Sequence, residues 1–268
     1  MSKFLRVVMI GILVCHVDWA HAVPSFARQT GLSCNVCHSN PPELTQFGRN
    51  FKLRGYVLAD ANSKEKVGNA KDLSLTKNLP VSLMVLLSNS AYQANQPGGQ
   101  NNSAGFPQQL SIFLAGGFAS HFGGMAQVTY THADDHFGMD NTDLRYANHA
   151  KLGGKGLDYG ITLNNNPTVQ DLWNSTPAWG QPFLGSPTMA GPAAAARIEG
   201  AMAQAVAGVS AYAFVDQSLY GEVGVYRSAL QGASVSNIGG GTPPTDVIPG
   251  VAPYWRFAYA YDWGQQIG

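Results

Sequence analysis

"LPVSLMVLL", residues 79–87, sets Leu79, Val81, Leu83, Val85 and Leu87 on one side of an extended chain and leaves Met84 on the other. Only a period of two collects these side chains on one face; a helix would scatter them around its axis. The same rhythm recurs downstream. Leu110, Ile112, Leu114 and Phe118 share a face, as do Phe122, Ala126, Val128 and Tyr130. Leu144 and Tyr146 point one way while Asp143, Arg145, His149 and Lys151 point the other. After Gly153-Gly154-Lys155-Gly156 the set Leu157, Tyr159, Ile161, Leu163 resumes, followed by runs over 205–215 and 219–225. Trp255, Phe257, Tyr259 and Tyr261 face away from Arg256 and Asp262. The pattern predicts strands over about 80–94, 108–120, 122–134, 142–152, 157–164, 203–215, 217–229 and 251–263.

Alternation alone fits a soluble sandwich, which buries its apolar face, and an outer-membrane barrel, which turns that face to lipid. The connections favour the barrel, because longer loops alternate with tight turns and the strands have spanning length. Tyr and Trp near several strand ends suit the interfacial girdles of such a barrel. Charged residues make up 12% of the chain, against about 25% in an ordinary soluble domain. Net charge is zero, which argues against a nucleic-acid partner.

Residues 1–22 read as a secretory signal peptide. Lys3 and Arg6 precede an apolar run from Val7 to Val14, and Ala20-His21-Ala22 is a small-residue cleavage site, so the mature chain is expected to start at Val23. Cys15 lies inside this leader, and the bulky Val14 before it argues against a lipid anchor there. Beyond the leader no apolar stretch reaches the roughly 20 residues of a membrane helix.

Between leader and strands lies "SCNVCHSNPPELTQFGRNFKLRGY", residues 33–56. Cys34, Cys37 and His38 form C-x-x-C-H, the attachment signature of a c-type haem. Two thiols on one side of a helical turn suit thioether bonds to the vinyl groups, and His38 is then the proximal iron ligand. A thioredoxin-like dithiol would need a βαβ surround, and a zinc site a second ligand pair; neither pattern is present. Asn40, Pro41 and Glu43 predict a helix start with a capping box. Leu44, Phe47 and Phe51 then share a face that would cover the porphyrin, Gly55 after Arg54 ends the helix, and Phe26 closes the other side. Arg28, Arg49, Lys52 and Arg54 are candidates for pairing with haem propionates.

The run "PSFARQTGLSCNVCHSNPPELTQFGRNFKLRGY" and the later "NNNPTVQDLWNSTPAWG" resemble the fused monohaem cytochrome-porin proteins of bacterial outer membranes, best known as iron oxidases. The resemblance is dense over the haem segment and looser over the strands. It implies a haem held in or at a barrel and electron passage across the outer membrane. It also implies an extracellular donor such as Fe(II), and a periplasmic c-type cytochrome or similar acceptor. On this reading the chain divides into leader 1–22, cytochrome segment and linker 23–78, and barrel 79–268. Family members carry a larger barrel, and this sequence stops at Gln265-Gln266-Ile267-Gly268 without a terminal aromatic residue, so strands are expected to be missing. An eight-stranded barrel is filled by its own side chains, so either the chain is incomplete or the haem segment hangs below the pore. Residues 165–180 are expected in a long external loop.

The expected chemistry is one-electron cycling of the haem iron, which needs no catalytic acid or base. Between His38 and Met84 there is neither His nor Met, so candidates for the sixth ligand are Met84, Met125 and His149, all inward by parity. His132, Asp135 and His136, with Asp140 nearby, suit an external site for a divalent metal donor. A porin-like module with a structural or sensory haem, and a soluble periplasmic carrier, are the alternatives to an electron conduit.

Overall fold

The computed structural model describes residues 23–58, 79–94, 102, 104–131, 135–175, 198, 202–229, 247–263 and 266–267. The leader with Cys15, most of the expected linker, His132 and the end of the second resemblance motif lie outside these residues.

The chain is mainly β. Eight strands, β1 (Val81–Asn89), β2 (Ala104–Ala119), β3 (Phe122–Thr131), β4 (His136–Leu152), β5 (Lys155–Asn164), β6 (Val206–Val215), β7 (Leu219–Ser228) and β8 (Ala252–Tyr259), form one sheet in sequence order. Every neighbouring pair is antiparallel, with registers such as Val81 opposite Leu114, Tyr146 opposite Ile161 and Val223 opposite Trp255. Among the described residues the sheet is open: β1 pairs with β2 and β8 with β7, and the two edges do not meet. Two short strands, β9 (Asp262–Trp263) and β10 (Gln266–Ile267), pair with each other.

All eight expected strands are present, with shifted ends. β4 begins at His136 rather than near 142, because Thr131 pairs directly with His136 and the β3–β4 loop is short. The β4–β5 turn is the two-residue kind, with Gly153 and Gly154 at φ +57° and +84°, a backbone that matches the strand twist and that glycine adopts without strain. The last strand stops at Tyr259, short of 263.

The sheet faces are inverted relative to a soluble protein. Outward-pointing Leu83 is 61% exposed, Ile161 50% and Phe257 70%, whereas inward-pointing Ser111, Asp143, Arg145 and Thr162 are fully buried. Water would favour the opposite arrangement.

Against the polar face lies the N-terminal segment, folded as α1 (Pro24–Thr30), α2 (Cys34–Cys37) and α3 (Gln46–Leu53). Its seat is a patch of small residues, since Gly116 faces Gly124 and Gly117 faces Gly123 across β2 and β3. A methyl group on Gly123 would lie 2.2 Å from the Gly55 carbonyl oxygen, so only glycine lets the helical segment come this close. Leu53, Leu172, Tyr212, Phe214, Tyr220 and Ala260 form a shared core, with Trp173 and Ala258 packed against it. No helix among the described residues is long and apolar enough to cross a membrane.

Candidate functional site

Cys34-Asn35-Val36-Cys37 closes a single helical turn, with the His38 N–H donating to the Cys34 carbonyl at 2.9 Å. Both thiols are free. The chain does not continue into a helix at Asn40 as the capping pattern predicts. Consecutive prolines at 41 and 42 hold that stretch in a turn, His38 bridges back to Leu44, and α3 starts only at Gln46, capped by Thr45 Oγ1, which accepts from Gly48 N at 3.2 Å. Thr45 also donates its hydroxyl to the Val36 carbonyl at 2.6 Å and its N–H to the Cys37 carbonyl at 3.0 Å. Gly48 completes the clamp: a Cβ there would meet the Cys37 carbonyl oxygen at 2.2 Å.

The turn has a chemical consequence. It brings the Pro42 and Glu43 carbonyls each to 3.2 Å from His38 Nδ1, so Nδ1 carries the hydrogen as donor and Nε2 keeps its lone pair. A backbone carbonyl fixing the far nitrogen is how metal-binding imidazoles are oriented. Burial outweighs these two bonds and pulls the His38 pKa below its ordinary value, which favours the neutral, ligand-competent ring. Burial first, and then Cys34, push the Cys37 thiol up, opposite to the low pKa of a redox dithiol.

Cys34, Cys37 and His38 open onto a cavity of about 580 Å³ between the helical segment and strands β1 to β4. That volume lies within the ~300–1,000 Å³ of cofactor sites. One part of its wall is apolar, with Phe26, Phe51, Phe113 and Met125; Phe26 packs edge-on to Phe51 at 5.2 Å and stacks on Tyr56 at 5.3 Å. Another part is polar, with Gln109, Gln127, Asp140, Asn141 and Gln204. No protein-family model, curated protein or solved structure matches this chain. The reading of the site therefore rests on its residues.

Of the sixth-ligand candidates, Met84 and Met125 line the cavity with His38. His149 does not. It faces inward as parity predicts but sits near the β4–β5 turn, half-exposed, with Nδ1 2.8 Å from Asp158 Oδ1. Of the external metal candidates, His132 lies outside the described residues, and Asp135 accepts from the Tyr130 hydroxyl at 2.9 Å. His136 and Asp140 are in β4 rather than a loop, and line a smaller cavity of about 230 Å³ that shares Asp140 and Gln204 with the main one. Among the described residues no three His, Cys, Asp or Glu side chains converge on a metal position. A zinc site needs such a set, whereas a porphyrin brings its own four nitrogens and asks the protein only for axial ligands.

The cations expected at propionates are engaged with protein groups. Arg28 donates to the Val81 carbonyl and Arg49 to the Leu44 carbonyl, while Arg54 holds both Asp158 oxygens, at 2.9 and 3.2 Å. Lys52 Nζ donates to the Val169 and Asp171 carbonyls and Asn174 Oδ1 at 2.6, 2.7 and 2.9 Å. Its acceptors belong to the stretch expected in an external loop. Residues 165–175, in the connection between β5 and β6, fold inward against the helical segment. Asn166 caps a short 3-10 turn (Pro167–Gln170), Val169 and Leu172 are buried, and the Trp173 carbonyl accepts from Leu44 N at 2.9 Å. The helical segment holds this stretch in place, because the buried Lys52 ammonium and the Leu44 N–H find their acceptors there.

The sequence reading overlooked the network beneath. Asp143 accepts from the Tyr56 hydroxyl at 2.6 Å, Thr162 Oγ1 at 2.7 Å and Arg145 Nε at 2.6 Å. Arg145 also donates to Gln170 Oε1 at 2.8 Å and stacks over the Tyr212 ring. Opposite charges two positions apart on an inward strand face were its signal. The helical segment, the infolded stretch and the sheet are thus joined through one buried ion pair.

Proposed function

We propose that this protein is an outer-membrane electron-transfer protein that holds one c-type haem, through thioethers to Cys34 and Cys37 and iron ligation by His38, inside a lipid-facing β-sheet of barrel type. The observation that carries the reading is the coincidence of a C-x-x-C-H turn, its imidazole fixed with Nε2 free, and a cavity of about 580 Å³ whose wall is part aromatic and part amide. A porphyrin has the same division, an apolar macrocycle with polar propionates. The apolar outward face and polar inward face support the membrane setting, and open sheet edges in lipid would require partners to close them.

When bound, the haem supplies one-electron cycling of its iron. The protein's part is to orient His38 through the Pro42 and Glu43 carbonyls, to exclude water with Phe26, Phe51 and Phe113, and to offer Met84 and Met125 as thioethers from the sheet side. The donor proposed is extracellular Fe(II), reached from the loop end of the sheet. The acceptor is a periplasmic cytochrome at the tight-turn end, in line with the iron-oxidase-like family that the chain resembles. Adding ferrous iron to intact cells that display the protein should convert the haem absorption from the oxidised to the reduced form. A haem whose spectrum ignores external donors would replace this reading with a structural or sensory haem.

A further inference from the structure

Lys52 and Asp140 are the charged side chains among the described residues that line the main cavity. They differ in depth. Lys52 is almost fully buried on α3, and its ammonium group donates to two carbonyls and one amide oxygen. Asp143 and Arg145 of β4, Asp171 of the infolded stretch and Arg256 of β8 also act on Lys52. Lys52 is thus the lysine or arginine among the described residues that lines the cavity, with Asp140 as its carboxylate counterpart on the wall.

We propose that Lys52 sets the reduction potential of the haem in this cavity, its positive charge favouring the ferrous state. The inference rests on the electron-transfer reading above and names the residue that tunes it. Reduction lowers the positive charge on the iron, so a buried cation nearby favours it, and low dielectric makes the effect larger than in water. Lys52 is not an iron ligand and stands well apart from Cys34, Cys37 and His38 in sequence. Burial, helped by Arg145, lowers its pKa to about 7, so its charge is present in acid and is lost as pH rises through neutrality.

The test is equilibrium redox titration of the purified haem protein, wild type against Lys52→Gln and Lys52→Arg. Lys52→Gln should shift the balance toward ferric iron by about tenfold, or ~59 mV for one electron. Lys52→Arg should keep the acidic wild-type value. Between about pH 6 and pH 9 the wild-type potential should fall, while the arginine form, charged throughout, should stay level. Should Lys52→Gln fail to accumulate, wild type against Lys52→Arg decides: equal pH slopes place the titration elsewhere, on propionates for instance, and overturn the proposal. A Lys52→Gln protein with covalent haem and an unchanged potential also overturns it, leaving the electron-transfer reading intact. A wild type that carries no covalent haem overturns both.

Discussion

Strands β4 and β5 have two faces that obey different rules. Inward, Asp143, Arg145 and Thr162 are fully buried, and each is hydrogen-bonded at 2.6–2.8 Å to a partner from the helical segment, the infolded stretch or the sheet. Outward, Tyr146, Ile161 and Leu163 are about half exposed. The inner face is specific, because a buried charge tolerates only the partner that matches it. The outer face is generic, and lipid is the solvent in which such a surface is stable. On the proposed reading, one face positions the cofactor segment and the other meets lipid.

The largest effect should come from breaking the inner ion pair. Arg145→Met strands Asp143 in the interior and should cost about 3–5 kcal/mol, read as a drop in the denaturant midpoint of detergent-held protein. Adding Asp143→Asn should recover part of that loss; full additivity would mean that the two side chains act independently. On the outer face, Ile161→Arg should cost about 2–4 kcal/mol of folding into bilayers, whereas Leu219→Arg beside the tight turn should cost ~0–1. Equal costs at the two sites, with protein that stays in solution without detergent, would erase the contrast between the faces. Gly48→Ala drives a methyl group against the Cys37 carbonyl and should cost about 1–3 kcal/mol, visible as a lower yield of haem-bearing protein at equal expression. Smallest of all, Lys155→Ala removes an exposed pair with Asp216, 2.9 Å apart, and should change stability by no more than about 1 kcal/mol.

The strands were legible because a period of two is a strong signal, and Leu83, Ile161, Phe257 and their neighbours do lie on one face. The C-x-x-C-H turn was equally plain; Phe26 and Phe51 both line the cavity, but they touch edge-on at 5.2 Å and do not lie on opposite sides of it as the sequence suggested. Two things were hidden. The start of α3 at Gln46 depends on Thr45 reaching Val36 and on His38 bridging to Leu44, contacts that outweigh the local capping pattern at Asn40. The infolding of residues 165–175 depends on Lys52 and Leu44, more than a hundred positions away. Parity assigned Arg145, Asp143 and His149 to one face, and correctly so, but distance along β4 separates the buried pair from the half-exposed histidine near the turn. A one-dimensional pattern carries the face and omits the depth.

The most direct test is the mass and visible spectrum of the mature protein, exported from cells that possess haem-attachment machinery and purified from the outer-membrane fraction. The account predicts one haem bound covalently per chain, lost in Cys34→Ala and Cys37→Ala. A colourless chain of unmodified mass, with both thiols open to alkylation, would contradict it.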